Sequence, residues 1–255
     1  MIIAMLQVSP TILAALTEPT VSTLRDLIVE YGFSLSEPLT ALTALQEVLD
    51  NFELDADPPI GRLGLDDERV LKKKLSQPQV SSRVLELIDQ GEGPRVEFKS
   101  SIFISTKKKQ FNPGISIEEC VDDSLKEKVA KEIAAFLNAE GGTILFGVTD
   151  DGDLRGCEDD FSTFSSGGSP GDKADLILKQ IVSQHFREPD NIFYHLKIDC
   201  VDIDGKHIVM LSVASRKQLA FLKSSKPSQL YLRVSSHALP IPYEKIEQYY
   251  NLSKL

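Results

Sequence analysis

The sequence predicts an α/β chain of the α+β kind: a mixed β-sheet flanked by helices, preceded by a small all-α N-terminal module. Three observations carry that expectation. Apolar residues recur at helical spacing through residues 24–52, whereas after Gly91 short β-rich runs alternate with helical ones. The 255 residues are 42% hydrophobic and 26% charged, which excludes a wholly disordered chain and supplies a core. That length suits a small module joined to one domain of roughly 150–200 residues.

In chain order, residues 1–16 are apolar but interrupted by Gln7, Ser9 and Pro10, with no Lys or Arg ahead of them; they read as a buried segment rather than a signal peptide. Thr20 or Ser22 caps a helix built on Leu24, Leu27, Ile28 and Tyr31 and ended by Gly32. A second helix over 36–52 carries Leu39, Leu42, Leu45, Val48 and Leu49, making a helical hairpin. Residues 55–61, with two acids, two prolines and a glycine, read as a linker. Helices over 66–75 and 80–90 follow. The predicted division is an acidic helical module at 1–60, a helical connection at 61–90 and a main domain at 91–255.

Within the main domain the pattern predicts a strand at 95–100, a helix at 126–138 facing the core with Val129, Ile133 and Phe136, and a buried strand at 143–149 after Gly141-Gly142. A Ser/Gly-rich loop over 162–171 precedes a helix at 172–185. Strands at 192–201 and 207–214 flank Asp204-Gly205, a dipeptide suited to a type I′ turn. Strands at 219–222 and 230–234 and a helix at 243–252 complete the chain.

Net charge is −10, so attraction to nucleic acid has to come from local patches, not the whole chain. Up to Asp66 the only bases are Arg25 and Arg62, among many acids. Cys120, Cys157 and Cys200 are widely spaced without a CxxC pair, which speaks against disulfides and a cysteine zinc site and for a reduced, cytoplasmic setting. The four histidines lack metal-ligand spacing, and no apolar run reaches the roughly 18 residues of a membrane helix.

Glu97 and Lys99 stand two apart on a strand and therefore share a face. A carboxylate can hold a divalent ion and a lysine can neutralise a phosphate, a pairing suited to phosphodiester hydrolysis; from this tripeptide alone a salt bridge between the two is the favoured reading. Glu92 lies five residues upstream. Asp150, in Asp150-Asp-Gly-Asp153, stands where a buried strand exits, a common place for α/β sites, though Asp-Gly is also turn chemistry. Three converging acids would suffice for Mg²⁺ or Mn²⁺. The stretch from Ser166 to Lys173 lacks phosphate-loop spacing, and no nucleophile-elbow or protease signature appears.

From about Glu92 to Tyr250 the chain resembles the Schlafen AlbA_2-type domain, through Glu92-Gly-Pro-Arg-Val-Glu-Phe-Lys99, Ala134-Ala-Phe-Leu-Asn-Ala-Glu-Gly-Gly142, Leu145-Phe-Gly-Val-Thr-Asp-Asp-Gly152 and Arg155-Gly156. The resemblance implies metal-dependent cleavage of transfer or ribosomal RNA by three acids, which fall on Glu92, Glu97 and Asp150, with Lys99 as the lysine after the second acid. Asn138, Gly141 and Gly142 match the family's turn. Other members of the family are described as DNA-binding or regulatory domains. Mammalian Schlafens pair two lobes around a groove with a zinc site; this chain has one lobe and too few cysteines, so a groove would come from a homodimer.

An insert over 107–123 opens with Lys107-Lys108-Lys109, a candidate phosphate contact. Lys72, Lys73, Lys74, Arg216, Lys217, Lys223, Lys226 and Arg233 extend a candidate basic track. Two expectations follow. The first is an Mg²⁺- or Mn²⁺-dependent endoribonuclease acting on tRNA-like RNA, with a defence or toxin-type role implied by the resemblance and a protein partner or oligomer contact at the N-terminal module. The second is a non-catalytic nucleic-acid-binding or regulatory module in which Glu97 pairs with Lys99 and Asp150 sits in a turn.

Overall fold

A computed structural model describes residues 8–57, 60, 64–164, 167–223 and 229–246. The chain divides into two compact units, Met1–Ser76 and Gln77–Leu255.

The first unit runs α1 (Pro10–Ala15), β1 (Thr20–Thr23), α2 (Leu24–Glu30), α3 (Pro38–Asn51), β2 (Leu54–Asp57) and β3 (Glu68–Lys73). The strands pair antiparallel in the order β1-β3-β2. Helix, strand, two helices and a closing hairpin in this sheet order make a winged helix-turn-helix arrangement. Thr23, not Thr20 or Ser22, caps α2: its Oγ1 accepts from Asp26 N at 3.1 Å. Gly32, at φ 68°, ends that helix as its position predicts. Ile12, Leu24, Leu27, Ile28, Leu45, Leu49, Leu54 and Leu71 form the core.

The predicted helical hairpin is therefore present, and a three-stranded sheet joins it. The region predicted as a helix over 66–75 is strand β3. Its alternation was hidden because one inward position is Arg69, only 1% exposed, whose guanidinium donates to Asp67 O at 2.7 Å, Gly64 O at 3.2 Å and Ile60 O at 3.4 Å. The 55–61 stretch is likewise no boundary on its N-terminal side, since β2 takes up residues through Asp57 and the unit closes at Ser76.

The second unit begins with α4 (Gln77–Gln90) and β4 (Val96–Lys99). It continues through α5 (Thr106–Phe111), α6 (Ile117–Cys120), α7 (Asp123–Leu137), β5 (Gly142–Phe146), α8 (Glu158–Ser162), α9 (Pro170–His185) and α10 (Pro189–Phe193). The hairpin β6 (Leu196–Ile203) and β7 (Lys206–Val213) follows, then β8 (Phe221–Leu222), β9 (Gln229–Val234), β10 (His237–Ile241) and a short 3-10 turn at Tyr243–Lys245. The predicted strand start at 192 is α10 instead, and β10 is an added strand. Most of the predicted C-terminal helix lies outside the described residues.

The main sheet has the order β4-β5-β7-β6, with β4 and β5 parallel and the other pairs antiparallel. Period-two alternation gives it two apolar faces. Leu145, Val201, Ile208 and Met210 pack with Val80, Val84 and Leu87 of α4, while Ile144, Phe146, Val209 and Leu211 pack with Val129, Ile133 and Ile181 of α7 and α9. Asp204 (φ 53°) and Gly205 (φ 75°) make the expected β6–β7 turn. The antiparallel sheet β10-β9-β8 lies beside α7, tied to its C-terminus by Asn138: Nδ2 donates to Ala220 O at 2.9 Å and Tyr231 O at 3.0 Å, while Oδ1 accepts from Ala220 N at 2.7 Å. Gly141 turns the chain into β5 at φ 80°, where a Cβ would stand 2.6 Å from Val213 O.

Candidate nucleic-acid interface and buried ion cluster

Glu97 points from β4 into a closed cluster. One carboxylate oxygen pairs with Lys99 and the other with Arg233 Nη2 at 2.8 Å, leaving the residue 7% exposed. Arg233 comes from β9 with its side chain 2% exposed. Its Nη1 bonds Glu132 of α7 at 2.7 Å, its Nη2 also donates to Gly93 O at 2.9 Å and Val96 O at 3.2 Å, and its guanidinium stacks 4.6 Å from the Phe136 ring. Burial, with the Glu97 charge adding to it, raises the Glu132 carboxyl, while Lys99 and Arg233 pull it back. The cluster joins β4, α7 and β9. Glu132 was missed from the sequence; a charged residue between Ala130 and Ile133 on the core-facing side of α7 was the available signal.

The other predicted acids stand in different settings. Glu92 is exposed, and its Oε1 accepts from Phe98 N at 2.8 Å, fixing the entry to β4. Asp150 is exposed in a turn closed by Gly152 N to Thr149 O at 2.9 Å and Thr149 N to Asp153 O at 3.0 Å. Because β4 and β5 are parallel neighbours, Lys99 and the start of this turn lie at one edge of the sheet. Among the described residues no group of three His, Cys, Asp or Glu side chains is arranged to hold a metal ion. With both Glu97 oxygens paired to cations, the donor set in this arrangement does not fit Mg²⁺ or Mn²⁺.

Of the predicted phosphate contacts, Lys107 and Lys108 of α5 and Lys217 are exposed. Lys109 is turned to the body of the unit by Asp159, at 2.6 and 2.7 Å. The Arg216 side chain is 7% exposed and reaches Glu188 at 3.4 Å. Arg233 is a correction: the ion cluster buries it away from any ligand's phosphates. In the first unit Lys72 and Lys74 pair with Asp57 and Asp50 at 2.8 and 2.6 Å. A cleft of about 220 Å³ beside Phe103, Lys126 and Phe164 is smaller than a typical small-molecule pocket. No described helix is long and apolar enough to cross a membrane.

The sequence model of the Schlafen, AlbA_2 family matches residues 92–242, more than half of the chain. The chain belongs to the Schlafen AlbA_2 family. No curated protein matches it. Among solved structures, it is similar to the DIP2311 protein of Corynebacterium diphtheriae, at 17% identity and a TM-score of 0.44, over 69% of this chain and 29% of that one. A second similar structure is the N-terminal domain of a RecG-related protein from Nitrosomonas europaea, at 17% identity and a TM-score of 0.32, over 64% of this chain and 95% of that one. The chain thus spans less than a third of the first of these proteins. The AlbA_2 match takes in the main sheet, the ion cluster and the α5 insert, and leaves the winged-helix unit outside it.

Proposed function

We propose that the AlbA_2 domain binds nucleic acid at its exposed lysines and that Glu97 is a structural carboxylate. The observation that carries this reading is the engagement of both Glu97 oxygens by Lys99 and Arg233 within a buried cluster. A buried carboxylate with a cation on each oxygen, in a cluster that joins β4, α7 and β9, holds the fold together. The family resemblance supplies the ligand class. The winged-helix unit serves a protein partner in this reading, since α3, which would enter a DNA groove, contains Glu47 and Asp50 and no Lys or Arg.

The test is binding of a fluorescent RNA or DNA oligonucleotide in chelator across a salt series. Affinity that falls linearly with salt on a logarithmic scale, and is kept in Glu97→Gln, supports the reading. Absence of binding in any salt overturns it.

A second reading is a metal-dependent endoribonuclease acting on tRNA or another structured RNA, in a defence or toxin-type role. Its favouring observation is the parallel β4–β5 pair, which brings Lys99 and the Asp150 turn to the same sheet edge, the edge α/β folds use for ligands. It requires Glu97 to leave Arg233 or Lys99. Incubation of a total tRNA pool in Mn²⁺, Mg²⁺ or chelator, beside Glu97→Ala, tests it: discrete fragments that need metal and vanish in the variant support it, and intact RNA in every lane rejects it.

A further inference from the structure

Phe111, at 89%, is the most exposed large hydrophobic side chain among the described residues. It closes α5, where Lys107 lies four residues before it and Lys108 three, so both positions fall one helical turn from the ring. Lys109 faces inward, held by Asp159. Lys107 has no ion pair among the described residues, and Lys108 donates to Glu119 O at 3.3 Å with the Asp122 carboxylate within its electrostatic reach, keeping further donor hydrogens.

The base of this insert is firmly built. Ile104 pairs with Val121, Ser105 N donates to Cys120 O at 2.8 Å and Asp122 N donates to Phe103 O at 3.0 Å. Beneath it the buried Asp160 carboxylate accepts from Ser101 Oγ at 2.9 Å, Ile102 N at 3.1 Å and Phe103 N at 2.9 Å. An exposed aromatic ring thus stands on an insert with a fixed base, one helical turn after Lys107 and Lys108.

Single-stranded nucleic acid matches that chemistry: a base offers its flat face to the ring, and the phosphates on either side take the cations. A duplex keeps its bases stacked on one another, so only an unpaired base reaches Phe111. Lysines are depleted at the cores of protein interfaces, which favours nucleic acid over a protein occupant. We infer that α5 is a stacking finger for single-stranded nucleic acid, with Phe111 on an unpaired base and Lys107 and Lys108 on the flanking phosphates. This inference rests on the nucleic-acid-binding reading above and names its ligand class.

The experiment uses the full chain in chelator with single-stranded RNA and DNA oligonucleotides carrying 2-aminopurine, whose emission falls on stacking, and a duplex of the same sequence. Wild type and Phe111→Trp quench the probe. Phe111→Ala loses the quench, binds the single strand about tenfold more weakly and binds the duplex unchanged. Lys107→Ala with Lys108→Ala lowers the salt slope by about 0.7 for each lost phosphate contact, whereas Phe111→Ala leaves the slope alone. The RNA and DNA arms identify which sugar is preferred.

Wild-type binding that Phe111→Ala does not change overturns the finger and leaves the nucleic-acid reading standing. No wild-type binding to any oligonucleotide overturns both. Self-association in sedimentation that Phe111→Ala abolishes, with oligonucleotide affinity intact, makes this face a contact between copies and rejects the inference.

Discussion

Arg233 and Glu97, 136 residues apart in sequence, meet at 2.8 Å in the interior of the AlbA_2 domain. The pair ties the third-sheet strand β9 to the edge strand β4, and Glu132 adds the helix between them. Removing Arg233 leaves the buried Glu132 without its cation and Glu97 held by Lys99 alone.

Arg233→Met is therefore expected to destabilise the domain by about 3–5 kcal/mol. Adding Glu97→Gln and Glu132→Gln should recover part of that loss, because the stranded charges go too. Urea denaturation of the single and combined variants checks this. An Arg233→Met loss within about 0.5 kcal/mol, the level of an ordinary surface change, contradicts it.

Glu132 gives a pH dependence with a definite sign. Burial and the Glu97 charge raise its carboxyl in the folded state. The folded protein holds that proton more tightly, so the stabilisation is fully present below the unfolded value of about 4.3 and is lost as pH rises through the folded value. The stability of wild type relative to Glu132→Gln should fall as pH rises above about 4.3. A difference that grows over that range would show the opposite shift.

Asn138 makes three hydrogen bonds from the end of α7 to the backbone of Ala220 and Tyr231. Asn138→Ala leaves those buried backbone groups without partners and should cost about 2–4 kcal/mol. Hydrogen exchange should quicken first at Ala220, whose amide loses its acceptor.

Burial pushes the Cys200 thiol up to about 12 and raises Cys157 well above its ordinary value. The thiolate is the reactive form, so at about pH 8 neither should be alkylated in the native protein at the rate of a free thiol. Mass spectrometry of native and urea-unfolded samples treated with iodoacetamide checks this; equal labelling in both contradicts it.

The sequence made the local features of the AlbA_2 domain readable. Helix α7, the β6–β7 turn at Asp204-Gly205 and the Glu97-Phe98-Lys99 strand each carry their signal within a few residues. The features that were not readable depend on distant partners. Arg69 occupies an inward strand position, where its Nη1 and Nη2 donate to carbonyls of Ile60, Gly64 and Asp67, and so concealed β3. Pro240 interrupts the pattern of β10, which is tolerable on an edge strand. Arg233 resembled a surface base because its two carboxylates lie more than a hundred residues upstream. The expected three-acid site drew on the family resemblance and on motif order, neither of which carries the direction of a side chain; Lys99, Arg233, Phe98 N and the Thr149–Asp153 turn set those directions.

In the proposed function, Glu97 supports the fold while exposed lysines bind nucleic acid. The most direct measurement compares wild type with Glu97→Gln, each shown folded by circular dichroism, for tRNA binding in chelator and tRNA integrity in Mn²⁺. Salt-dependent binding of equal strength is expected in both proteins, with intact RNA in both. Metal-dependent fragments from wild type that a folded Glu97→Gln variant cannot produce would contradict it.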